Sequence, residues 1–165
     1  IPFFARCGAF SVDKDDATQA ADDLAYAGGL LVPGNGVWVF PQGRRSPSTA
    51  PLTVASGAAR LAQARPGLRV VPVAFRYPFV SEDSPEAFAW IGEPWTVPAD
   101  ATLGQVRRRM REEMERALAD LDRALATTER AGFEELVAGA PSANKRIPAF
   151  LARFGLADPA GLRNG

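Results

Sequence analysis

The sequence predicts an α/β domain with a mixed, largely parallel sheet flanked by helices, followed by a helical C-terminal part. Three observations lead to this prediction. Apolar runs rich in β-branched residues alternate with alanine-rich segments in the order strand, helix, strand, helix, strand. A long amphipathic segment follows them. The chain has 165 residues, enough for one domain with its own core. We place the α/β domain at residues 1–128 and the helical extension at residues 129–165.

The predicted elements, in chain order, are a strand at 10–12, a helix at 17–27, a strand at 37–40, a helix at 57–65, strands at 68–75 and 89–92, and helices at 103–126, 133–137 and 147–154. The first strand rests on the alternation of Phe10 and Val12 with smaller residues. The first helix is alanine-rich and begins after aspartates, which suit a helix N-terminus, and two glycines are expected to end it. Pro41 ends the second strand because proline has no N–H to donate.

The later elements are predicted from composition and periodicity. Small residues fill the helix at 57–65, which Pro66 and Gly67 stop. The run at 68–75 is the most strand-like in the chain. In the segment from 103 to 126, apolar residues recur every three or four positions, and they are Leu103, Val106, Met110, Met114, Leu118, Leu121 and Leu125. The charges on its other face alternate in sign, which predicts a solvated face with ion pairs one turn apart.

Composition excludes several classes of protein. The formal net charge is zero, which argues against non-specific nucleic-acid binding as the main role. A single cysteine, Cys7, rules out an internal disulfide and is expected to be a small buried hydrophobe. No apolar run approaches the roughly 20 residues that span a bilayer. We expect no metal and no cofactor, since one cysteine and scattered carboxylates do not form a ligand set.

One turn carries most of the chemistry that the sequence indicates. After the predicted strand at 37–40 come a proline, a glycine, two adjacent arginines and a hydroxyl, in the order Phe40-Pro41-Gln42-Gly43-Arg44-Arg45-Ser46-Pro47. Guanidinium groups and a flexible glycine at the end of a strand suit the binding of an anion. The alternative is a solvated turn whose two arginines face water.

This turn is one of five blocks that together resemble a known family. It is similar to the Phe-Pro-Glu-Gly-Thr-Arg-Ser block of the glycerolipid acyltransferases, the superfamily of lysophosphatidate and glycerol-3-phosphate acyltransferases. The other four blocks resemble the family's motifs in the same order over residues 1 to 98, and they are Gly8-Ala9-Phe10-Ser11-Val12-Asp13-Lys14, Gly57-Ala58-Ala59-Arg60-Leu61-Ala62, Val71-Pro72-Val73-Ala74-Phe75 and Trp90-Ile91-Gly92-Glu93-Pro94.

The resemblance implies transfer of an acyl group from a coenzyme A or acyl-carrier-protein thioester, as co-substrate, to a hydroxyl of a lipid acceptor. It implies acceptor binding by a set of residues at two blocks, and these are Lys14, Gln42, Gly43, Arg44, Arg45 and Ser46. It implies a second set that shapes the site or an acyl tunnel, and these are Gly8, Phe10, Pro41, Val71 and Pro72.

The sequence departs from the family's pattern at two of these positions. Lys14 stands where the family has an arginine, so it offers a point charge instead of a fork of donors. Gln42 stands where the family has glutamate, so it can hydrogen-bond but cannot neutralise Arg44 or Arg45. The turn is therefore more positive than the family's, which suits an anionic acceptor or the phosphates of coenzyme A.

The family's catalytic base is a histidine in a His-x-x-x-x-Asp block, and these 165 residues contain no histidine. We expect that block upstream of Ile1, so the chain by itself is expected to be inactive. The exposed apolar start also predicts an upstream segment, which would attach the protein to the cytoplasmic face of a membrane, unless the protein is simply cytoplasmic. The alternative is a non-catalytic lipid- or acyl-binding homologue.

Overall fold

The computed structural model describes residue 6 and residues 8–13, 16–44, 47, 50–79, 86–127 and 132–137. Three helices and four short strands lie within these ranges. The helices are α1 (Ala17–Leu30), α2 (Ser56–Gln63) and α3 (Leu103–Ala126), and the strands are β1 (Arg69–Val70), β2 (Val73–Arg76), β3 (Phe88–Ile91) and β4 (Trp95–Thr96). The predicted helices at 17–27, 57–65 and 103–126 are confirmed, with small changes at their ends. Gly28 and Gly29 do not end α1 as expected, because the helix continues through them to Leu30.

The sheet differs from the prediction. β1 pairs antiparallel with β4, Arg69 opposite Thr96, and β2 pairs with β3 in a second two-stranded sheet. A largely parallel sheet is not seen among the described residues. The predicted strand at 68–75 divides in two because Pro72 has no N–H to continue a ladder, and each half takes a different partner.

Two other predicted strands are wrong. Residues 10–12 and 37–40 are not strands, although both runs have the expected composition. A strand needs a hydrogen-bonded neighbour, and neither run pairs with a strand in the described ranges. The expected helix at 133–137 is also wrong: these residues are not helical. The predicted helix at 147–154 lies outside the described residues.

The chain divides into two compact units. The first comprises Ile1–Val73 and Ile91–Ala117, and the second comprises Ala74–Trp90 and Leu118–Gly165. The core of the first unit is formed by buried residues of α2, α3 and the segment after β4, and these are Ala59, Ala62, Val97 and Val106. The small residues of α2 let it approach its neighbours closely: Leu24 of α1 lies 3.8 Å from where a Cβ on Gly57 would be.

The second unit is held by aromatic and ionic contacts. Phe133, from the non-helical segment at 132–137, packs edge-to-face on Phe88, with ring centres 5.1 Å apart. Arg76 of β2 forms a two-pronged ion pair with Asp122 of α3, at 2.7 and 2.8 Å. Leu121 is fully buried.

Helix α3 begins with a reciprocal cap. The side-chain oxygen of Gln105 accepts a hydrogen bond from the N–H of Thr102 at 2.7 Å, and the Thr102 hydroxyl accepts one from the N–H of Gln105 at 3.3 Å. This arrangement satisfies two backbone donors that a helix start otherwise leaves unpaired. Every residue of the predicted apolar stripe of α3 is buried or half-buried, so the amphipathic prediction is confirmed.

Candidate functional site

The predicted anion-binding turn is closed by a backbone hydrogen bond. The N–H of Gly43 donates to the carbonyl of Phe40 at 3.1 Å, and Gly43 has a φ of +62°. Residues that carry a side chain rarely adopt a positive φ, so the turn requires glycine at this position. Arg44 follows immediately and is exposed. The chain thus places an accessible guanidinium directly beyond a tight turn.

One hydrogen bond joins this turn to the residue before α2, and a second joins the neighbouring Val54 to α3. The carbonyl of Pro41 accepts from the N–H of Ala55 at 2.7 Å, just before α2 begins. The neighbouring carbonyl of Val54 accepts from Nε of Arg107 at 2.6 Å. Val54 is only 3% exposed, so this arginine of α3 satisfies an oxygen in a buried residue. Arg107 therefore supports the backbone that holds the turn.

Sequence reasoning missed this role of Arg107. The spacing of charged residues placed Arg107 on the solvated face of α3. Such spacing predicts contacts within one helix and not contacts with a distant segment. The contact joins residues 53 positions apart, and nothing in the local sequence marks it. The prediction of ion pairs one turn apart is confirmed elsewhere on that face, for Arg109 with Glu113 and for Arg111 with Glu115.

Glu113 departs from the predicted solvated face. It is 2% exposed, yet its carboxylate lies between two arginines of the same helix. Nη2 of Arg109 is 2.6 Å from Oε1, and Nη1 of Arg116 donates to Oε2. Arg109 is close enough to Oε1 for an ion pair, but its N–H groups do not point at this oxygen. Oε1 therefore has an ionic partner and no hydrogen bond. A buried carboxylate needs such cations because burial without them is costly.

Of the other predicted acceptor-binding residues, the structure describes only Gln42. Gln42 is half-buried, and its side chain makes no hydrogen bond within the described part of the chain. Lys14, Arg45 and Ser46 lie outside the described residues. Their assignment to acceptor binding stays a prediction, as does that of Gln42, Gly43 and Arg44.

The block that contains Gly8 and Phe10 lies against α1. Gly8 has a φ of +77°, which again favours glycine, and the Phe10 ring packs edge-to-face on Tyr26 at 5.4 Å. The N–H of Asp13 donates to Oδ2 of Asp23 at 2.9 Å. Asp13 also accepts a hydrogen bond from the N–H of Asp16 at 3.3 Å, so it takes part in the turn before the helix.

This turn perturbs one carboxyl group. The hydrogen bond from the backbone N–H of Asp13, assisted by one from the side-chain amide of Gln19 at 2.9 Å, lowers the pKa of Asp23 below its ordinary value of 3.8. Both donors favour the ionised carboxylate. The lowered pKa of Asp23 reflects the hydrogen bond that attaches the Gly8 block to α1. A carboxylate with a lowered pKa is a weaker base, so Asp23 is not a candidate general base.

Val71 and Pro72 bring two of the motif blocks together. The carbonyl of Pro72 accepts from the N–H of Gly92 at 2.9 Å, so the Val-Pro-Val block contacts the Ile-Gly-x-Pro block directly. A Cβ on Gly92 would lie 2.9 Å from Cγ of Pro72 and 3.2 Å from Cβ of Ala117 in α3. Glycine is therefore needed here for close packing. Val71 is exposed beside this contact.

The described residues form an open cleft of about 490 Å³ in the first unit. Its walls come from the segment around β4 and the first turns of α3, and they are Trp95, Thr96, Pro98, Asp100, Ala101, Gln105, Val106, Arg108, Arg109 and Glu112. None of the predicted site residues lines it. Its two arginines are balanced by two carboxylates, so the cleft favours neither sign of charge.

The described residues lack two features that would indicate other functions. They contain no cluster of three or more carboxylate, thiol or imidazole groups able to hold a metal ion. None of the helices in the described ranges is long and apolar enough to cross a membrane.

Comparison with known proteins identifies the N-terminal part of the chain. Residues 2–76 match the family described as Acyltransferase. Searches of curated proteins and of solved structures found no match. The matched range contains the turn at 40–44, the Gly8 block and the Val-Pro-Val block, and it supports a general acyltransferase role. This match covers a little under half of the chain, and it agrees with the motif resemblance to the glycerolipid acyltransferases.

Proposed function

We propose that this protein transfers a fatty acyl group from a coenzyme A or acyl-carrier-protein thioester to a hydroxyl of a lysophospholipid, a glycerol phosphate or a related lipid acceptor. On this proposal the enzyme resembles the 1-acylglycerol-3-phosphate acyltransferases, acts in phospholipid biosynthesis and works at the cytoplasmic face of a membrane or in the cytoplasm. The family match supports the general reaction, and the turn at 40–46 supports the choice of acceptor.

The observation that carries the proposal is the exposed guanidinium of Arg44 beyond the glycine turn. Hydrogen bonds from Gly43 to Phe40 and from Ala55 to Pro41 hold the backbone before it. A guanidinium on a fixed turn can bind phosphate oxygens with less loss of side-chain freedom. Arg45 would add a second charge, and Lys14 a third from the Gly8 block.

The remaining turn residues have different roles in the proposed site. Gln42 would hydrogen-bond the acceptor through its amide without cancelling the positive charge of the arginines. Pro41 and Gly43 set the path of the backbone. Gly8, Phe10, Val71 and Pro72 would shape the walls beside the acyl chain.

The chemistry also needs a base for the acceptor hydroxyl, and no residue described above supplies one. The resemblance assigns that role to a histidine upstream of Ile1, which would take the hydroxyl proton while the oxygen attacks the thioester carbonyl. The thiolate of coenzyme A or of the carrier protein then leaves as the new ester forms. The positive turn would hold the acceptor phosphate in place throughout.

The test is thioester turnover by the full-length protein, followed as release of free thiol. With a lysophosphatidate acceptor, Arg44→Ala and Arg45→Ala should each raise the acceptor KM by about tenfold, the effect of losing one charge-assisted hydrogen bond of roughly 1.5 kcal/mol. Arg108→Ala is the matched control, because it removes an exposed arginine outside the turn. Acceptor kinetics that respond equally to all three changes would contradict phosphate binding by the turn.

A second function is favoured by one feature of the sequence. Gln42 stands where the family has glutamate. This departure fits a homologue that binds a lipid or acyl chain without transferring it. Turnover by the full-length protein that disappears when an upstream histidine is replaced would exclude this alternative. Binding of the thioester without turnover would favour it.

A further inference from the structure

We infer that Arg107 of α3 is a positioning residue for the acceptor site, and this inference rests on the proposed function. By donating to the carbonyl of Val54, Arg107 fixes the backbone that presents Arg44 to the acceptor phosphate. Arg107 lies outside residues 2–76, so the match to the acyltransferase family assigns it no role. The inference extends the acceptor site to a helix that carries none of the predicted site residues.

Two consecutive hydrogen bonds connect Arg107 to the turn. Nε of Arg107 donates to the carbonyl of Val54 at 2.6 Å. The N–H of the same peptide group belongs to Ala55, and it donates to the carbonyl of Pro41 at 2.7 Å. A single planar peptide group therefore separates the guanidinium from the turn. The bond lengths within that group place Nε no farther than about 8 Å from the carbonyl oxygen of Pro41.

The start of α2 depends on these contacts because the helix does not cap itself. Ala55 is the residue before its first turn, and an alanine side chain has no atom that can accept a hydrogen bond. An aspartate, asparagine, serine or threonine at this position would fix the first turn locally. Here the backbone at 54–55 is held by partners on the turn and on α3. Loss of the Arg107 contact would therefore loosen this backbone and, with it, the carbonyl of Pro41.

The rest of α2 is held independently of Arg107. At the other end of the helix, Nε2 of Gln63 donates to the carbonyl of Ala101 at 3.0 Å, just before α3. Ala62 of α2 and Val106 of α3 belong to the same buried cluster. A substitution of Arg107 leaves these contacts in place, so its effect should be concentrated at the start of α2 and at the turn.

Arg107 could act on the acceptor in two ways, through its hydrogen bond or through its charge. The hydrogen bond is favoured because Val54 is only 3% exposed, and a buried carbonyl that loses its donor is costly. Glutamine separates the two possibilities. Its amide nitrogen lies the same number of bonds from Cα as Nε of arginine, so Arg107→Gln keeps a donor and removes the charge. Arg107→Met has a similar length and removes both.

The first experiment measures amide hydrogen exchange in the full-length protein, so it does not depend on catalysis. We expect Arg107→Met to speed exchange about fivefold at the N–H groups of Ala55 and Gly43, whose hydrogen bonds hold the turn. Arg107→Gln and the control Arg108→Met should exchange at the wild-type rate. Unchanged exchange in Arg107→Met would overturn the inference. Equal acceleration in Arg107→Gln, or at amides throughout α1, would do the same.

The second experiment measures thioester turnover with a lysophosphatidate acceptor. Arg107→Met should raise the acceptor KM about threefold and leave kcat and the KM for the thioester unchanged, because it displaces the arginines of the turn without removing one. Arg107→Gln should have the wild-type KM. A lower kcat with an unchanged KM would indicate only fewer folded molecules, and an equal rise in KM for both variants would indicate attraction by charge. Either result would overturn the inference.

Failure of the proposed function gives a different pattern from failure of the inference. If the turn does not bind the acceptor, Arg44→Ala leaves the acceptor KM unchanged, and the exchange rates still decide whether Arg107 holds the turn. If Arg44→Ala raises the acceptor KM and Arg107→Met does not, the proposed function stands and the inference is wrong.

Discussion

Replacing Gly92 with alanine tests whether close packing of two motif blocks stabilises the fold. The new Cβ would lie 2.9 Å from Cγ of Pro72 and 3.2 Å from Cβ of Ala117. The first distance is shorter than real Cβ contacts, and the atom it meets belongs to a ring that cannot rotate away. The carbonyl of Pro72 is also 3.6 Å from the new atom, and it accepts the hydrogen bond from Gly92.

The expected cost follows from two opposing terms. Overpacking a tight site costs about 1–3 kcal/mol. Alanine also restricts the unfolded chain relative to glycine, which offsets about 0.4–1 kcal/mol. We therefore expect the free energy of unfolding to fall by about 1–2 kcal/mol. The hydrogen bond from Gly92 to Pro72 should lengthen as the two segments separate.

Urea unfolding followed by circular dichroism measures this change. Gly104→Ala is the matched control, because a Cβ there meets nothing within 4 Å and the residue lies in the first turn of α3. That substitution should stabilise the protein by up to about 1 kcal/mol through helix propensity. Gly92→Ala with unchanged or increased stability would refute the packing argument.

A double-mutant cycle identifies the atom responsible. Pro72→Ala removes the ring carbon that the new Cβ would meet. The cost of Gly92→Ala should therefore be smaller by about 1 kcal/mol in the Pro72→Ala background than in the wild type. An additive pair would mean that Pro72 is not the source of the cost.

Three further predictions concern the supports of the site. Arg107→Leu should lower the free energy of unfolding by about 1 kcal/mol, because the carbonyl of buried Val54 loses its donor; urea unfolding measures this. Thr102→Ala should lower it by about 1 kcal/mol through loss of the reciprocal cap with Gln105, seen in the same assay. Asp23→Asn should destabilise the protein at neutral pH, and the free energy of unfolding of the variant should fall less steeply than that of the wild type as the pH is lowered. The folded state holds the pKa of Asp23 below 3.8, so the wild-type advantage exists above about pH 4 and disappears as the pH falls through the folded-state pKa.

Each of these has a distinguishing control. Arg108→Leu changes an exposed arginine on the same helix and should leave stability nearly unchanged, so an equal loss would contradict the role of Arg107. Thr102→Ser keeps the hydroxyl and should retain most of the cap. For Asp23→Asn, a difference from wild type that is as large in acid as at neutral pH would mean that the carboxylate charge is not involved.

The helices could be predicted from the sequence because their signals are local. The stripe from Leu103 to Leu125 repeats every three or four residues, and the whole helix follows from it. The start of α1 was indicated by its aspartates, and Asp16 indeed caps it, accepting hydrogen bonds from the N–H groups of Thr18 and Gln19. The turn at 40–44 could likewise be predicted, since proline and glycine restrict the backbone through their own chemistry.

The strands could not be predicted with the same success, because a strand depends on a partner elsewhere in the chain. The run at 37–40 has a strand's composition and no pairing strand in the described ranges, while Trp95–Thr96 pairs with β1 without any strong local signal. Pro72 lies inside the predicted strand at 68–75, and it separates two strands with different partners. Register and pairing are tertiary properties.

The sequence by itself determined α1, α2 and α3, the glycine turn and the acyltransferase motifs, since each depends on residues close together in the chain. Tertiary structure alone decided what surrounds them. It placed Arg107 against the carbonyl of Val54, buried the carboxylate of Glu113, and packed Gly92 on Pro72. These contacts join residues from different segments or depend on how deeply a helix face is buried. Local sequence encodes neither, because burial and distant neighbours arise only when the segments pack together.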